Sequence, residues 1–241
     1  MSGKQFEQCS ICNEFNKKKI DDLYSLQMKE IYEACNVKSR ILYEDELFWV
    51  IPSLGPVSEC HLLILPKAHT YSFALLSEEQ LIKAERLIKR ICNIVNKVYG
   101  SSVVFEHGTL NEKMHSSASC NHAHMHVVSC DKSIIPFLEK DGLQLRRVGK
   151  LSELKEQLKR GAPYFYYSDN TLDSFIMDDT IQESQYMRIL MANVLQAPEK
   201  GNWKTNFGCT VIVAMIHKMK KEFNEAQLIE EKAELVQKLN E

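Results

Sequence analysis

Residues 122–126 read His-Ala-His-Met-His and run straight into Val127-Val128, so three imidazoles alternate with apolar residues in a stretch ending in β-branched side chains. On a strand, that alternation turns all three rings to one face. A helix would bring only His122 and His126 together, four residues apart, and throw His124 to the far side. The strand is the better reading, because the row runs on into Val127-Val128. A row of imidazoles on one face can hold a metal, act as a nucleophile and move protons near neutral pH, since the free side chain titrates at about 6.5. The alternative is a polar strand face without chemistry, and five histidines between His107 and His126 argue against it.

At 241 residues the chain is long enough for one large domain, or a domain with a substantial extension, and it buries an ordinary core without staples. Eight cysteines scattered at 9, 12, 35, 60, 92, 120, 130 and 209 do not form a disulfide ladder, and the opening MSGKQFEQCS has no apolar signal region. The expectation is a reducing compartment, cytoplasmic or nuclear. No apolar run approaches the roughly 18 residues that span a bilayer; the best, Val211 to Ile216, reads as a buried helix or strand. A formal charge of -2 gives no overall field for a polyanion, so long nucleic acid is disfavoured and a nucleotide would need a local site.

The clearest element is a helix. Ser77 and Gln80 form a capping box, Leu81, Ala84, Ile88, Ile91, Val95 and Val98 fall on one stripe, and Gly100 stops it. Before it, a polar stretch from Asp21 to Cys35 reads as helix, and Ile41–Tyr43, Leu47–Ile51 and Leu62–Leu65 read as strands. Val103–Phe105 is the next strand, followed by a loop and the histidine strand. Beyond Ile134 the pattern changes. Leu151, Leu154 and Leu158 mark a short helix, Tyr164–Tyr167 and Ser174–Met177 a hairpin, Tyr186–Leu195 another helix, and Phe223–Glu241 a solvated amphipathic helix with some capacity to dock a partner.

Cys9-x-x-Cys12 has two readings in a reducing compartment, a redox pair or half of a metal site. A redox pair of the thioredoxin kind follows a strand and opens a helix, and no strand precedes this one. His69 and His122 can supply the other two ligands of a closed, structural Cys₂His₂ zinc site, tying the N-terminal segment to two central strands. His61 competes as a ligand, but its place at the head of an apolar strand suits a hydrogen-bonded structural histidine better.

The run His122-Ala123-His124-Met125-His126-Val127-Val128 resembles the His-φ-His-φ-His-φ-φ signature (φ, apolar) of the histidine triad superfamily of nucleotide hydrolases and transferases. His61-Leu62-Leu63-Ile64-Leu65-Pro66-Lys67-Ala68-His69 is similar to that family's strand and loop, and the C-x-x-C to its zinc-binding members. Together these cover roughly residues 9 to 130. Ser184-Gln185-Tyr186-Met187-Arg188 loosely resembles an element of extended members. The resemblance implies that His124 attacks the α-phosphorus of a nucleoside phosphate, forming a nucleotidyl-histidine that water or another acceptor then discharges. It assigns the backbone carbonyl of His122 to pinning the His124 ring, His126 to the phosphate or departing group, and Ser119 to a hydrogen bond there.

Two departures stand out. Ser53 replaces the usual ribose-binding aspartate, and the loop after Glu106-His107 is longer than in compact members, so the phosphate-contacting asparagine is Asn111 by spacing, or Glu106 or His107 by strand position. The expected architecture is α+β: a histidine-triad-like antiparallel sheet of about five strands with a long helix in residues 1–134, and a C-terminal α/β extension in 135–241. That extension should close over the nucleotide site, with Tyr164–Tyr167 and Trp203 as packing or stacking surface and Arg146, Arg147 and Arg188 as anion partners. Ser184, Gln185 and Arg188 would share the first turns of one helix. The expected substrate contacts are His122, Asn111, Ser53, Arg188 and Gln185. The leading function is a zinc-containing hydrolase of a dinucleoside polyphosphate, nucleoside phosphoramidate or nucleotide adduct, a third histidine in place of glutamine favouring hydrolysis. A nucleotidyltransferase with an anionic acceptor and a catalytically weak nucleotide-sensing module are the alternatives. A homodimer is compatible with either.

Overall fold

The computed structural model describes residues 9–15, 23–112, 122–169, 173–181 and 183–240, with the side chains of 23–27 and 227–240 left aside. One antiparallel sheet runs through the molecule. Its strands are β1 (Tyr43–Glu44), β2 (Phe48–Pro52), β3 (His61–Pro66), β4 (Ser102–Gly108), β5 (Met125–Ser129), β6 (Arg146–Val148), β7 (Tyr164–Ser168) and β8 (Ser174–Asp178), in the order β1-β2-β3-β5-β4-β7-β8-β6. The helices are α1 (Ser10–Phe15), α2 (Leu23–Ala34), α3 (Glu78–Tyr99), α4 (Ile135–Lys140), α5 (Lys155–Arg160), α6 (Tyr186–Val194) and α7 (Cys209–Asn240).

Helix α3 forms where its sequence requires. The Ser77 side chain accepts from the Gln80 amide and the Gln80 side chain from the Ser77 amide, and Gly100 closes the helix at φ +91°. Its stripe of Leu81, Ala84, Ile88, Ile91 and Val95 packs on Val104, Met125 and Val127 with Phe48, Val50, Leu62 and Ile64. Helices α2 and α7 join this layer through Met28, Ile31, Ile212, Met215 and Ile216. Each buried Leu, Ile, Val, Phe or Met side chain among these contributes about 1.5–3 kcal/mol. Val211 to Ile216 is thus helical, opening α7 rather than a strand.

The opposite face of the sheet carries two separate covers. Cys9 and, on helix α1, Ile11 and Cys12 pack on Ile51, Leu63 and Leu65. Helices α4 and α6 cover Val103, Phe105, Val128, Phe165, Tyr167 and Met177. His61, Leu63, Phe105 and His126 share this face by register, since Leu63 and Phe105 both lie opposite His126 and His61 lies opposite Val128. The cleft between α1 and α6 is therefore where the histidine row opens.

The five-strand expectation accounts for β1 to β5, and the sheet has eight strands because β7 pairs with β4 along five residues and carries β8 and β6 with it. The residues after 135 are not an α/β unit, since all their strands are antiparallel and continue the first sheet. A β4 edge with the continuous apolar run Val103-Val104-Phe105 needs a neighbour, and the aromatic run Tyr164–Tyr167 supplies it. Gly108, opposite Tyr164, makes this fit possible: a Cβ there would stand 2.3 Å from the Tyr164 ring. The ring instead lies down to bring its hydroxyl 2.6 Å from Glu106 Oε2. Tyr164–Tyr167 is thus core rather than stacking surface. The edges left are β1 and β6, of two and three residues. Among the described residues no helix is long and apolar enough to cross a membrane.

Candidate active site and metal cluster

Cys9, Cys12, His69 and His122 converge, each offering one ligand atom, all four atoms within 4.8 Å of one another. His122 Nδ1 lies 3.6 Å from Cys9 Sγ and 3.4 Å from Cys12 Sγ, and His69 Nδ1 lies 3.4 Å from Cys12 Sγ. Ligand bonds of about 2.3 Å to sulfur and 2.0–2.1 Å to nitrogen at tetrahedral angles put S and N about 3.6 Å apart, so the spacing is that of a tetrahedral edge. The protonation pattern agrees. His122 Nε2 faces the Pro66 carbonyl at 2.8 Å, which only accepts, so Nε2 carries the hydrogen and the Nδ1 lone pair faces the sulfurs. The Cys9 thiol is held far below its ordinary range, chiefly by the hydrogen bond with Cys12, against the opposing effect of burial. The donor set is that of a thiolate–imidazole metal site. Glu14, on α1, fastens the cluster to the sheet by a bidentate pair with the buried Arg40, 2.8 Å at both contacts.

Two residues on, the same logic gives a different ring. His124 Nδ1 donates to the His122 carbonyl at 2.6 Å, so its Nε2 is a free lone pair. His124 keeps partial exposure while His122 and His126 are buried. Desolvation pulls its pKa down to about 4, opposed by the hydrogen bond to the His122 carbonyl and reinforced by the Arg188 cation, so the ring is neutral. His126 is fixed through His61. The Val57 amide donates to His61 Nδ1 at 3.3 Å, which leaves the hydrogen of His61 on Nε2, 2.7 Å from His126 Nδ1. The second nitrogen of His126, Nε2, then carries its hydrogen. Burial holds both His61 and His126 well below the usual imidazole range. His61 is the hydrogen-bonded histidine expected at the head of an apolar strand, not a fifth candidate ligand.

His124 and His126 line a cavity of about 70 Å³ together with Ser10, Ile11, Arg40, Ser53, Leu54, Leu63, Arg188 and Trp203. Trp203 reaches it because Gly55, at φ +58°, has no Cβ; one would stand 2.6 Å from the Trp203 backbone. Arg188 crosses from α6 to the 53–55 turn, bonding Ser53 Oγ at 3.2 Å and the Gly55 carbonyl. Ser53 and Arg188 are thus brought to the cavity with the histidines. Gln185 and Asn111 are not among its walls. Gln185, left-handed before α6, bonds Asn202 and the Trp203 amide, supporting the turn instead. Ser184 is exposed outside that helix, and Asn111 is exposed. Ser119 lies outside the described residues. Arg146 and Arg147 are engaged by Asp178 and Asp173 on β8 and its flank, away from this cavity.

The family described as "scavenger mRNA decapping enzyme C-term binding" matches residues 26–136. Over 124 residues the chain is 23% identical to an uncharacterized HIT-like protein of Methanocaldococcus jannaschii, covering 49% of this chain and 91% of that protein. A second uncharacterized HIT-like protein, from Borreliella burgdorferi, is 26% identical over 122 residues, 49% of this chain and 80% of its own length. The matched segment, 26–136, takes in both the strand of His61 and the histidine row. Among solved structures, a zinc-bound histidine triad family protein from Mycobacterium smegmatis covers 57% of this chain and 94% of its own, at 20% identity and a TM-score of 0.34. Residues from beyond the matched segment, Arg188 and Trp203, complete the cavity.

Two features of the site escaped sequence reasoning. Glu106, one of the candidates for a phosphate contact, turns to the opposite face of the sheet, where it accepts from the Phe73 amide at 2.8 Å and from Tyr164. Its pKa is pushed up to about 7 by burial, with both hydrogen bonds opposing. His107, its neighbour, turns to the histidine face and bonds the buried Asp179 at 2.8 Å. Alternation along β4 separates the two; the partner Asp179, 72 residues away, leaves no local signal.

Proposed function

We propose that the chain is a histidine triad hydrolase of nucleoside phosphate derivatives, a dinucleoside polyphosphate, nucleoside phosphoramidate or nucleotide adduct, with His124 as nucleophile. The observation that carries this reading is the fixed His124 tautomer: Nδ1 bonded to the His122 carbonyl, Nε2 unprotonated on the cavity side, the ring neutral at pH 7. A neutral imidazole attacks the α-phosphorus, the bond to the leaving group breaks, and water discharges the nucleotidyl-histidine. His126, with its hydrogen on Nε2, donates to the phosphate or the departing group. Cys9, Cys12, His69 and His122 fit zinc, which when bound would close a structural centre and hold the His122 segment still. Residues 135–241 are part of the same working unit, their aromatic strand and Arg188 being built into it. The substrate is a small nucleotide.

The test is a panel of α-labelled dinucleotides and phosphoramidates. Turnover is expected with the natural chain, and His124→Ala should lose about three or more powers of ten with fold and metal content intact. Near-natural activity in that variant would remove the mechanism. Transfer of the nucleotide to phosphate rather than water would make the same intermediate that of a phosphorylase.

A further inference from the structure

Among the walls of the small cavity, one charge has no counter-charge. Arg40 is satisfied by Glu14. Arg188 is not: its Nη1 meets the Ser53 hydroxyl at 3.2 Å, its Nη2 meets the carbonyls of Gly55 and, at 3.5 Å, Leu54, and its Nε has no hydrogen-bond partner among the described residues. Every one of those acceptors is neutral. The side chain is 6% exposed, and among the described residues no carboxylate forms an ion pair with it. Burial alone draws its guanidinium down to about 10. A buried cation without an anion carries a penalty of several kcal/mol. Such an uncompensated charge in a cleft marks a ligand's place.

Among the described residues the cavity wall has no acidic side chain, and at about 70 Å³ the cavity is far below the roughly 300–1,000 Å³ of a whole-ligand pocket, so it admits one small group. Arg188 shares the walls of this cavity with His124 and His126. We propose that Arg188 is a substrate-binding residue, its Nε–H taking a non-bridging oxygen of the phosphate set against His124, so that the C-terminal part of the chain supplies the charge that makes this an anion site. Arginine suits the task because its charge persists at every working pH and its donors lie in a fixed plane. The three neutral acceptors on the other edge hold that plane without cancelling its charge. An aspartate at position 53 would cancel it. The identity of the anion as the reacting phosphate rests on the His124 reading; the preference for an anion does not.

Calorimetric titration separates the two. The natural chain should bind a nucleoside monophosphate about 10- to 100-fold more tightly than the corresponding nucleoside, the range for a hydrogen bond to a charged group. Arg188→Met should collapse that ratio towards one while nucleoside affinity holds, Arg188→Lys should restore part of it, and Ser53→Asp should reduce it with Arg188 in place. If Arg188→Met does not fold, Ser53→Asp and Arg188→Lys decide. A folded Arg188→Met that keeps the full ratio, a Ser53→Asp that leaves it unchanged, or no preference in the natural chain overturns the proposal. A ratio that follows Arg188 in a protein turning over none of the substrates leaves the anion site standing and removes only the hydrolase reading.

Discussion

At one end of the histidine row, His122 gives its Nε2 hydrogen to the Pro66 carbonyl and turns Nδ1 into a closed nest of two sulfurs and a second imidazole. At the other end, His124 gives its Nδ1 hydrogen to a carbonyl and turns Nε2 into an open cavity. The side chains are identical and two residues apart. What differs is which nitrogen meets a backbone carbonyl, and that choice suits one ring to the place of a ligand and the other to that of a nucleophile. The surroundings follow suit: two cysteine sulfurs gather at the first, while a buried cation and a fixed donor, Arg188 and His126, stand at the second.

The comparison breaks most visibly at the closed end. Cys9→Ser or Cys12→Ser should release a metal present at about one ion per chain and lower the melting temperature steeply, since structural zinc contributes about 10–16 kcal/mol of apparent binding free energy in small domains. Elemental analysis finding no zinc in the natural protein, or a Cys9–Cys12 disulfide that cycles with reductant, would reject a structural centre. At the open end, His126→Ala should cost activity in part, about 100-fold or more where the leaving group needs a proton and less where it does not. Equal losses across leaving groups would remove its donor role.

The smallest effect belongs to the opposite face, as a control on both ends. The Glu106 carboxyl is raised to about 7 in the fold, so its stabilising contribution is full below the unfolded value of 4.5 and is lost as pH rises through 7. Stability should therefore fall between pH 5 and 8, and Glu106→Gln should flatten that slope without moving the leaving-group dependence. Denaturant midpoints at the two pH values, compared between the two proteins, measure it.

Reading the sequence located α3 to the residue, because its capping box, stripe and terminal glycine are all local. It also placed the four metal-cluster residues in one set; the strand expected over the histidine row begins only at Met125, so His126 alone of the three lies on β5 and His122 and His124 precede it. It gave the hairpin of β7 and β8 but not its attachment, since nothing in Tyr164–Tyr167 names β4 as its neighbour; the complement is Gly108, whose missing Cβ is visible only once the strands are paired. Strand β6 was missed because three residues of mixed polarity carry no period. Gln185 and Arg188 looked like a common anion site on one helix. The left-handed turn at Gln185, φ +63°, sends that side chain to the 202–203 turn and leaves Arg188 to the cavity.

The central claim is that His124 Nε2 forms a bond to phosphorus. Rapid quenching after mixing with an α-labelled nucleoside phosphoramidate, followed by peptide mass spectrometry, reads this directly. The account predicts a nucleotidyl group on the peptide carrying His124, absent from His124→Ala and discharged by water in the natural chain. Turnover that proceeds with no label on that peptide at any quench time, or label on another histidine, would contradict it.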